Sequence, residues 1–252
     1  MTFEVPATAY DDFMGRYSVP LAEAFAEFAR LPDDGRALDV GSGTGALTAV
    51  LAQRFGASEV AAVEPSATFV AAMASRFPWV DVRQGHAEEL PFDDHAFSAT
   101  LAQLVVHFMA DPLEGLREMR RVTRPGGVVA ACVWDFEGGR APQSRFFEAL
   151  RSATGSADDE SDRAGAGRGQ LATLLEAAGC TDVVEGEVSV SRSFDGFDDW
   201  WEPYTLGVAP AGKQLAALDD ETRERVREAA RGLFPAGPFT VAVAAWVARG
   251  RA

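Results

Sequence analysis

The sequence predicts an α/β fold: a doubly wound, mostly parallel sheet with helices on both faces. Three observations predict it. Short apolar runs alternate with helical stretches between residues 36 and 134, the pattern of successive βαβ units. The first of these runs ends in a glycine cluster, Gly41, Gly43 and Gly45, where a strand hands the chain to a helix. The chain has 252 residues, 47% of them hydrophobic, enough for one such domain with an elaboration.

Each element follows in order. Phe13, Tyr17, Leu21, Phe25 and Phe28 recur at helical spacing and predict a helix from Phe13 to Leu31, with Pro20 expected to break it in two. Arg36 to Val40 reads as a buried strand and Leu47 to Phe55 as a helix closed by Gly56. Val60 to Val63 is a strand. Ser66 caps a helix that runs to Arg76 and stops before Pro78. Val80 to Arg83 and Phe97 to Leu101 are strands. Asp111 and Pro112 open a helix that continues over Leu113 to Val122. Pro125-Gly126-Gly127 then turns the chain into the strand Val128 to Trp134.

The pattern changes after Trp134. Helices are expected over Ser144 to Ser152 and Leu171 to Ala178, separated by a polar, glycine-rich loop, Gly155 to Gly169, read as flexible. Val183 to Phe194 alternates as a long strand, and Phe239 to Val247 is the last one. The forty or so residues between them exceed any simple hairpin connection. They carry two helical parts, Asp198 to Tyr204 and Asp219 to Leu233, and read as a lid or substrate wall. The expected organisation is an N-terminal helical cap over 1–35, a ligand-binding domain over 36–194 and 238–252, and a helical insertion over 195–237.

Charge narrows the function. The net charge is −15, which repels phosphate backbones and makes nucleic acid a poor partner. The one basic run, Arg117, Arg120, Arg121 and Arg124, reads as a solvated helix face. No apolar stretch is long enough for a membrane helix, and Met1 to Asp12 has no secretory pattern. Cys132 and Cys180 lack partners at metal-ligand spacing and read as buried thiols in a reducing compartment. No metal site is expected, and the expected location is cytoplasmic. Oligomeric state is not legible.

The glycine loop carries the chemistry. Leu38-Asp39-Val40-Gly41-Ser42-Gly43-Thr44-Gly45 lies where the ligand crevice of an open α/β sheet is expected. Glycine there admits positive φ and removes the Cβ that would hold a ligand off the main chain. The spacing G-x-G-x-G differs from the dinucleotide fingerprint. Asp39 beside it would repel a diphosphate but suits an amine or a sulfonium. The second strand ends in Val63-Glu64-Pro65, and a carboxylate there can accept both hydroxyls of a ribose.

At these residues the chain resembles the class I S-adenosylmethionine-dependent methyltransferases, in particular the branch of ubiquinone and menaquinone biosynthesis enzymes. The matching segments are LDVGSGTG at 38–45, AVEPS at 62–66, GHAEELPFDD at 85–94, LVVHFMADPLEGLREMRRVTRPGG at 104–127 and YDDFMGRYSVPLA at 10–22. They cover roughly the first 135 residues, in order. The resemblance implies a Rossmann-like, seven-stranded sheet with an antiparallel last strand, S-adenosylmethionine as cofactor, and methyl transfer to a small molecule; the aromatic cluster Phe197, Trp200, Trp201 and Tyr204 would suit an apolar or aromatic acceptor.

It also implies residue roles. Gly41 and Gly43 would let the backbone approach the cofactor, with Ser42, Thr44 and Gly45 completing the loop. Asp39 would order the amine side. Glu64, followed by Pro65, would hold the ribose. Arg16 would meet the cofactor carboxylate, and Gln103 would line the methionyl end. One departure stands out: the family commonly has an aspartate where this chain has His86. His86 is read as a cofactor contact, with the Ala87 N–H on the adenine ring and Glu88 taking over the amino contact.

Methyl transfer is a displacement at an activated carbon. It needs positioning, and a base only where the nucleophile carries a proton. His107, after the fourth strand, is the candidate base, set against a packing role at the pocket floor. His95 reads as a turn residue. Phe197, Trp200, Trp201 and Tyr204 could wall an acceptor pocket or simply pack on the sheet. Two other readings share the loop and the acid: a non-catalytic binding module and a nicotinamide-dependent oxidoreductase. The latter lacks the third glycine and a Tyr-x-x-x-Lys pair.

Overall fold

A computed structural model describes residues 11–252. The reading of Met1 to Asp12, and the start of the N-terminal cap, therefore lie outside the described residues up to residue 10. Seven strands form one sheet: β1 (Ala37–Val40), β2 (Val60–Glu64), β3 (Asp81–Gln84), β4 (Phe97–Gln103), β5 (Thr123–Trp134), β6 (Thr181–Phe194) and β7 (Phe239–Arg251). Their order is β3-β2-β1-β4-β5-β7-β6. The β1–β2, β1–β4, β2–β3 and β4–β5 pairs are parallel. Only β7 runs against the rest, antiparallel to both β5 and β6. Strand order reverses between β1 and β4, so the ends of β1, β2 and β4 converge where such sheets bind ligands.

The buried strands explain their own sequence. β1 and β2 are buried at every position, and β4 at all but Gln103. Strands covered on both faces read as continuous apolar runs. β6 is the opposite case, an edge strand exposed along most of its length. Glu185, Glu187 and Arg192 on it discourage pairing with another chain. Gly186 has a separate reason: a Cβ there would come within 2.6 Å of the Phe28 ring.

The helices in chain order are α1 (Arg16–Ala29), α2 (Ala46–Phe55), α3 (Ala67–Arg76), α4 (Pro112–Val122), α5 (Ser144–Thr154), α6 (Gln170–Ala177), α7 (Phe197–Trp201), α8 (Ala209–Ala216) and α9 (Asp220–Arg231). Three have side-chain caps: Ser66 accepts from Phe69 N–H, Asp111 from Glu114 N–H and Asp219 from Thr222 N–H. Replacing Asp111 by alanine should cost about 1 kcal/mol, the usual worth of such a cap. Urea unfolding of Asp111→Ala checks this, and an unchanged midpoint would deny the cap any role.

Three expectations need correction. Pro20 does not divide the first helix: α1 is continuous through it, preceded by one π-helical turn, Asp11–Gly15. The buried face of Tyr17, Leu21, Phe25 and Ala29 outweighs the roughly 3 kcal/mol that an interior proline costs. β5 begins before Pro125, since Thr123 already pairs with Phe97. The register then jumps to Ala99 opposite Val128, so Pro125-Gly126-Gly127 is an excursion inside the strand. α8 was not foreseen, because Pro210 and Gly212 punctuate it. Pro210 sits in its first turn, and Gly212 lets the backbone of Gly207 approach.

The loop 155–169 forms turns only, yet part of it is inside the protein. Ala166 and Glu160 are buried, Asp158 N–H donates to Gln214 Oε1, and Glu137 N–H donates to Ala166 O.

The insertion aromatics pack. Trp200 meets Phe234 at 4.6 Å between ring centroids, and Tyr204 stacks on Phe146 at 4.7 Å. Phe197, Trp200, Trp201 and Tyr204 are all buried. The arginine run is held by acids: Arg121 pairs with Glu118 and Asp94, and Arg117 with Glu114. No described helix is long and apolar enough to cross a membrane. Cys132 and Cys180 are both buried free thiols.

Candidate functional site

The glycine loop is tied to the neighbouring strand by its own backbone. Gly41 and Ser42 both donate N–H bonds to the Val63 carbonyl, at 2.7 and 3.1 Å. Glu64 Oε2 accepts the Gly43 N–H, and its Oε1 accepts the Ser66 N–H, each at 2.9 Å. One carboxylate thus joins the loop after β1 to the helix after β2. Burial raises the Glu64 pKa, and the two backbone N–H bonds work against that.

Gly41, Gly43 and Gly45 all have positive φ, as the sequence predicts. Gly45 adds a packing demand, since a Cβ there would strike Phe77 and Met73.

Beside the loop lies a cleft of about 450 Å³. Gly41, Val63, Pro65, Gly85, His86, Ala87, Glu88, Glu89, Val105, Phe108, Met109 and Ala110 line it. Of the candidate cofactor residues, Gly41, Pro65, His86, Ala87 and Glu88 are therefore brought together. Glu88 Oε1 already accepts the N–H groups of Ala110 and Asp111.

The other candidates sit around the cleft without lining it. Glu64, buried, clamps the loop through its two backbone N–H bonds. Asp39 is buried and accepts a 2.6 Å bond from Thr48 Oγ1. Thr44 Oγ1 donates to Asp11, which also pairs with Arg76, so the N-terminal segment crosses the glycine loop. Arg16 donates to the Asp199 carbonyl and carboxylate, tying α1 to the insertion. Gln103 donates to the Ser18 carbonyl at 2.8 Å, and its buried Oε1 has no partner among the described residues. Ser42 Oγ is likewise buried and unpartnered.

These features fit an adenosyl sulfonium. The volume lies in the range of ligand clefts, and apolar walls with a few polar groups are the usual lining. Ser42 Oγ in the loop and Gln103 Oε1 at the end of β4 are buried oxygens with hydrogen-bonding capacity to spare among the described residues. Glu64 retains lone pairs for sugar hydroxyls beyond the two amide bonds.

The Methyltransferase domain family matches residues 38–131. A demethylmenaquinone methyltransferase of Mycolicibacterium vanbaalenii is 34% identical over 178 residues, 64% of this chain and 74% of that protein. The chain belongs to the S-adenosylmethionine-dependent methyltransferases. A methyltransferase of Mycobacterium bovis described as uncharacterized is 37% identical over 100 residues, 40% of either chain.

The methyltransferase fold is also that of a solved structure. The geranyl diphosphate C-methyltransferase of Streptomyces coelicolor, in complex with Mg2+, geranyl diphosphate and S-adenosyl-L-homocysteine, superposes with a TM-score of 0.53 at 18% identity. The match covers 94% of this chain and 80% of that one. The cofactor of this methyltransferase is S-adenosylmethionine, and the oxidoreductase reading is set aside.

Among the candidate site residues, Asp39, Glu64 and His107 have shifted titrations. Burial raises the Asp39 pKa to about 7, with Glu64 adding to the effect and the Thr48 bonds opposing it. Between about pH 4 and 7 the folded protein then holds a proton that the unfolded chain releases, so this residue makes stability fall as pH rises. Asp39→Asn keeps an acceptor for Thr48 and carries no charge. It should stabilise the methyltransferase near pH 8 and do little near pH 4. Urea midpoints at both pH values check this; an equal shift at both would contradict it.

Burial pushes His107 the other way, down to about 3, assisted by the Arg163 charge. Its imidazole is held neutral, which weakens it as a proton acceptor. Its ring lies 3.9 Å from Phe108, and Nδ1 has no partner among the described residues.

Sequence reasoning missed Gly85, Glu89, Val105, Phe108 and Met109 as cleft residues. The last three fall inside the matched segment 104–127 but look like ordinary apolar packing. Leu104, with φ of 60°, bends the chain after β4 and delivers them.

Proposed function

We propose that this methyltransferase passes the sulfonium methyl group of S-adenosylmethionine to a small molecule by in-line displacement. The supporting observation is the cleft of about 450 Å³ beside the carboxylate-clamped glycine loop, at the point where strand order reverses. Bound S-adenosylmethionine supplies a methyl group already activated on sulfur. The chain's own part is to bind, orient and exclude water.

In this reading Gly41 and Gly43 floor the site and Glu64 takes the ribose. Pro65, His86, Ala87 and Glu88 border the adenine. Ser42, Thr44 and Gly45 shape the loop. Gln103, Asp39 and Arg16 govern the methionyl end, with Arg16 exchanging Asp199 for the cofactor carboxylate. His107, neutral, orients rather than deprotonates. Residues 195–237 form the acceptor-side wall over a binding domain of 36–194 and 238–252, capped by 1–35.

The net charge of −15 favours a small acceptor over nucleic acid. That charge and the two buried thiols also support a cytoplasmic setting.

Calorimetric titration with S-adenosylhomocysteine tests the cofactor site, and methyl incorporation across a small-molecule panel tests the transfer. Demethylmenaquinone, named in a relative, belongs in that panel. Saturable binding is expected, and its absence at roughly hundreds of micromolar would overturn the reading. Binding without turnover on any acceptor would instead favour a non-catalytic module.

A further inference from the structure

Next to the cofactor cleft is a second, smaller chamber. Met14, Leu104, His107, Phe108, Trp134, Phe136, Gln143, Glu160, Ala209 and Pro210 line it. Phe108 lines the cleft as well, so the two spaces share a wall. The chamber holds about 20 Å³, room for one water-sized group.

Its lining is unusual. Trp134, Glu160, Gln143 and His107 are 1%, 3%, 4% and 5% exposed. Each has a buried polar atom with no partner among the described residues: Trp134 Nε1, Glu160 Oε1, Gln143 Oε1 and His107 Nδ1. Buried polar atoms are normally paired, and leaving one unpaired costs about 1–3 kcal/mol. Four such atoms belong to the lining of one small chamber, a set that one hydrogen-bonding group could satisfy together.

The set has a direction. Glu160 and Gln143 offer acceptor oxygens, His107 offers an acceptor nitrogen in one tautomer, and Trp134 offers one donor. No lysine or arginine lines the space. An anionic head group would meet a carboxylate in the lining itself, with the Arg163 charge acting only from outside it, whereas a group that donates hydrogen bonds would satisfy the orphaned acceptors.

We infer that this chamber seats the nucleophilic head group of the methyl acceptor, an amine or hydroxyl, and that Glu160 is the catalytic residue that takes its proton. The inference rests on the methyltransferase reading of the adjacent cleft. In the step, the lone pair of the acceptor nitrogen or oxygen forms the bond to the methyl carbon. The carbon–sulfur bond breaks with its pair going to sulfur, and the acceptor's proton passes to the Glu160 carboxylate.

The surroundings suit that role. Burial raises the Glu160 pKa to about 7, with Asp158 and Asp159 adding to the rise and Arg163 opposing it. A base near neutrality is the best compromise between availability and strength. His107, held neutral in the same lining, leaves Glu160 as the acid-base group. Glu160 itself has φ of 64°, a left-handed conformation that disfavours a residue with a Cβ.

The test uses protein labelled with nitrogen-15 in its tryptophan side chains and saturated with S-adenosylhomocysteine. The Trp134 indole resonance is assigned by its loss in Trp134→Phe. Methylamine is the probe and formate the anionic control of similar size. Methylamine is expected to shift the Trp134 resonance saturably, more tightly as pH rises through about 7. Formate is expected not to. Glu160→Gln should weaken methylamine binding by about tenfold or more, while leaving S-adenosylhomocysteine affinity within about twofold. Glu160→Asp should show partial recovery, which a merely structural role would not produce.

Equal binding of formate, no saturable shift with methylamine, or no effect of Glu160→Gln would each overturn the assignment. If S-adenosylhomocysteine does not bind the wild-type protein, the cofactor reading fails instead. The same methylamine titration in cofactor-free protein then decides the chamber on its own.

Discussion

Glu64→Ala is expected to weaken S-adenosylhomocysteine binding by at least about tenfold, as read by calorimetric titration. The size follows from two losses at once. The Gly43 and Ser66 amides each give up a 2.9 Å bond to the carboxylate, and the ligand's sugar gives up its acceptor. The Gly41 and Ser42 bonds to Val63 are then what still tie the loop after β1 to β2 among the described hydrogen bonds. Glu64→Gln is a sharper probe. It keeps one acceptor but turns an N–H group toward the other amide, so it should fail nearly as badly despite its matching shape. Unchanged affinity in both variants would remove Glu64 from the site.

Gly41→Ala is expected to be strongly damaging. A Cβ at this position would lie 2.5 Å from Val105 Cγ2 and 2.6 Å from Cγ1, and φ is +71°. Valine is short and stiff at χ1, so it cannot swing away as a long side chain would. Left-handed backbone strain of roughly 1–2 kcal/mol adds to an overpacking cost of about 1–3 kcal/mol. A stability loss of about 2–5 kcal/mol is therefore expected in urea unfolding. Val105 also borders the cleft, so pushing it aside should lower cofactor affinity in whatever fraction stays folded. A variant with wild-type stability and affinity would show that the Gly41–Val105 contact relaxes without cost.

The parts of this protein that were legible in its sequence are those where one local rule decides the outcome. Strands β1, β2 and β4 are buried on both faces, and an apolar run bounded by glycine or by capping residues can mean little else. Ser66 and Asp111 announced their helices because a side-chain acceptor three residues before an amide has one obvious use. The glycine loop was legible because each of its glycines has a positive φ to satisfy.

What was not legible depends on residues far apart in the chain. Pro20 reads as a break until the buried face of Tyr17, Leu21 and Phe25 is weighed against it. Arg16 and Asp199 are separated by 183 residues, and nothing local foretells their pairing. The chamber is the extreme case. His107, Trp134, Gln143 and Glu160 come from four segments with no shared spacing, and Glu160 lies in a stretch whose composition suggests only a surface loop. His107 drew attention as a titratable residue near the right strand, but its burial, and so its proton affinity, depends on neighbours that no motif encodes.

β7 lies between β5 and β6, although it follows both in the chain. A ribosome therefore releases two open sheet edges before it releases the strand that fills the gap. β5 and β6 can mature only as half-walls until residues 239–251 emerge, so most of the cooperative locking of the sheet waits for that one strand. Slow elongation over residues 239–251 would lengthen the interval in which a neighbouring nascent chain could slot into the vacant lane.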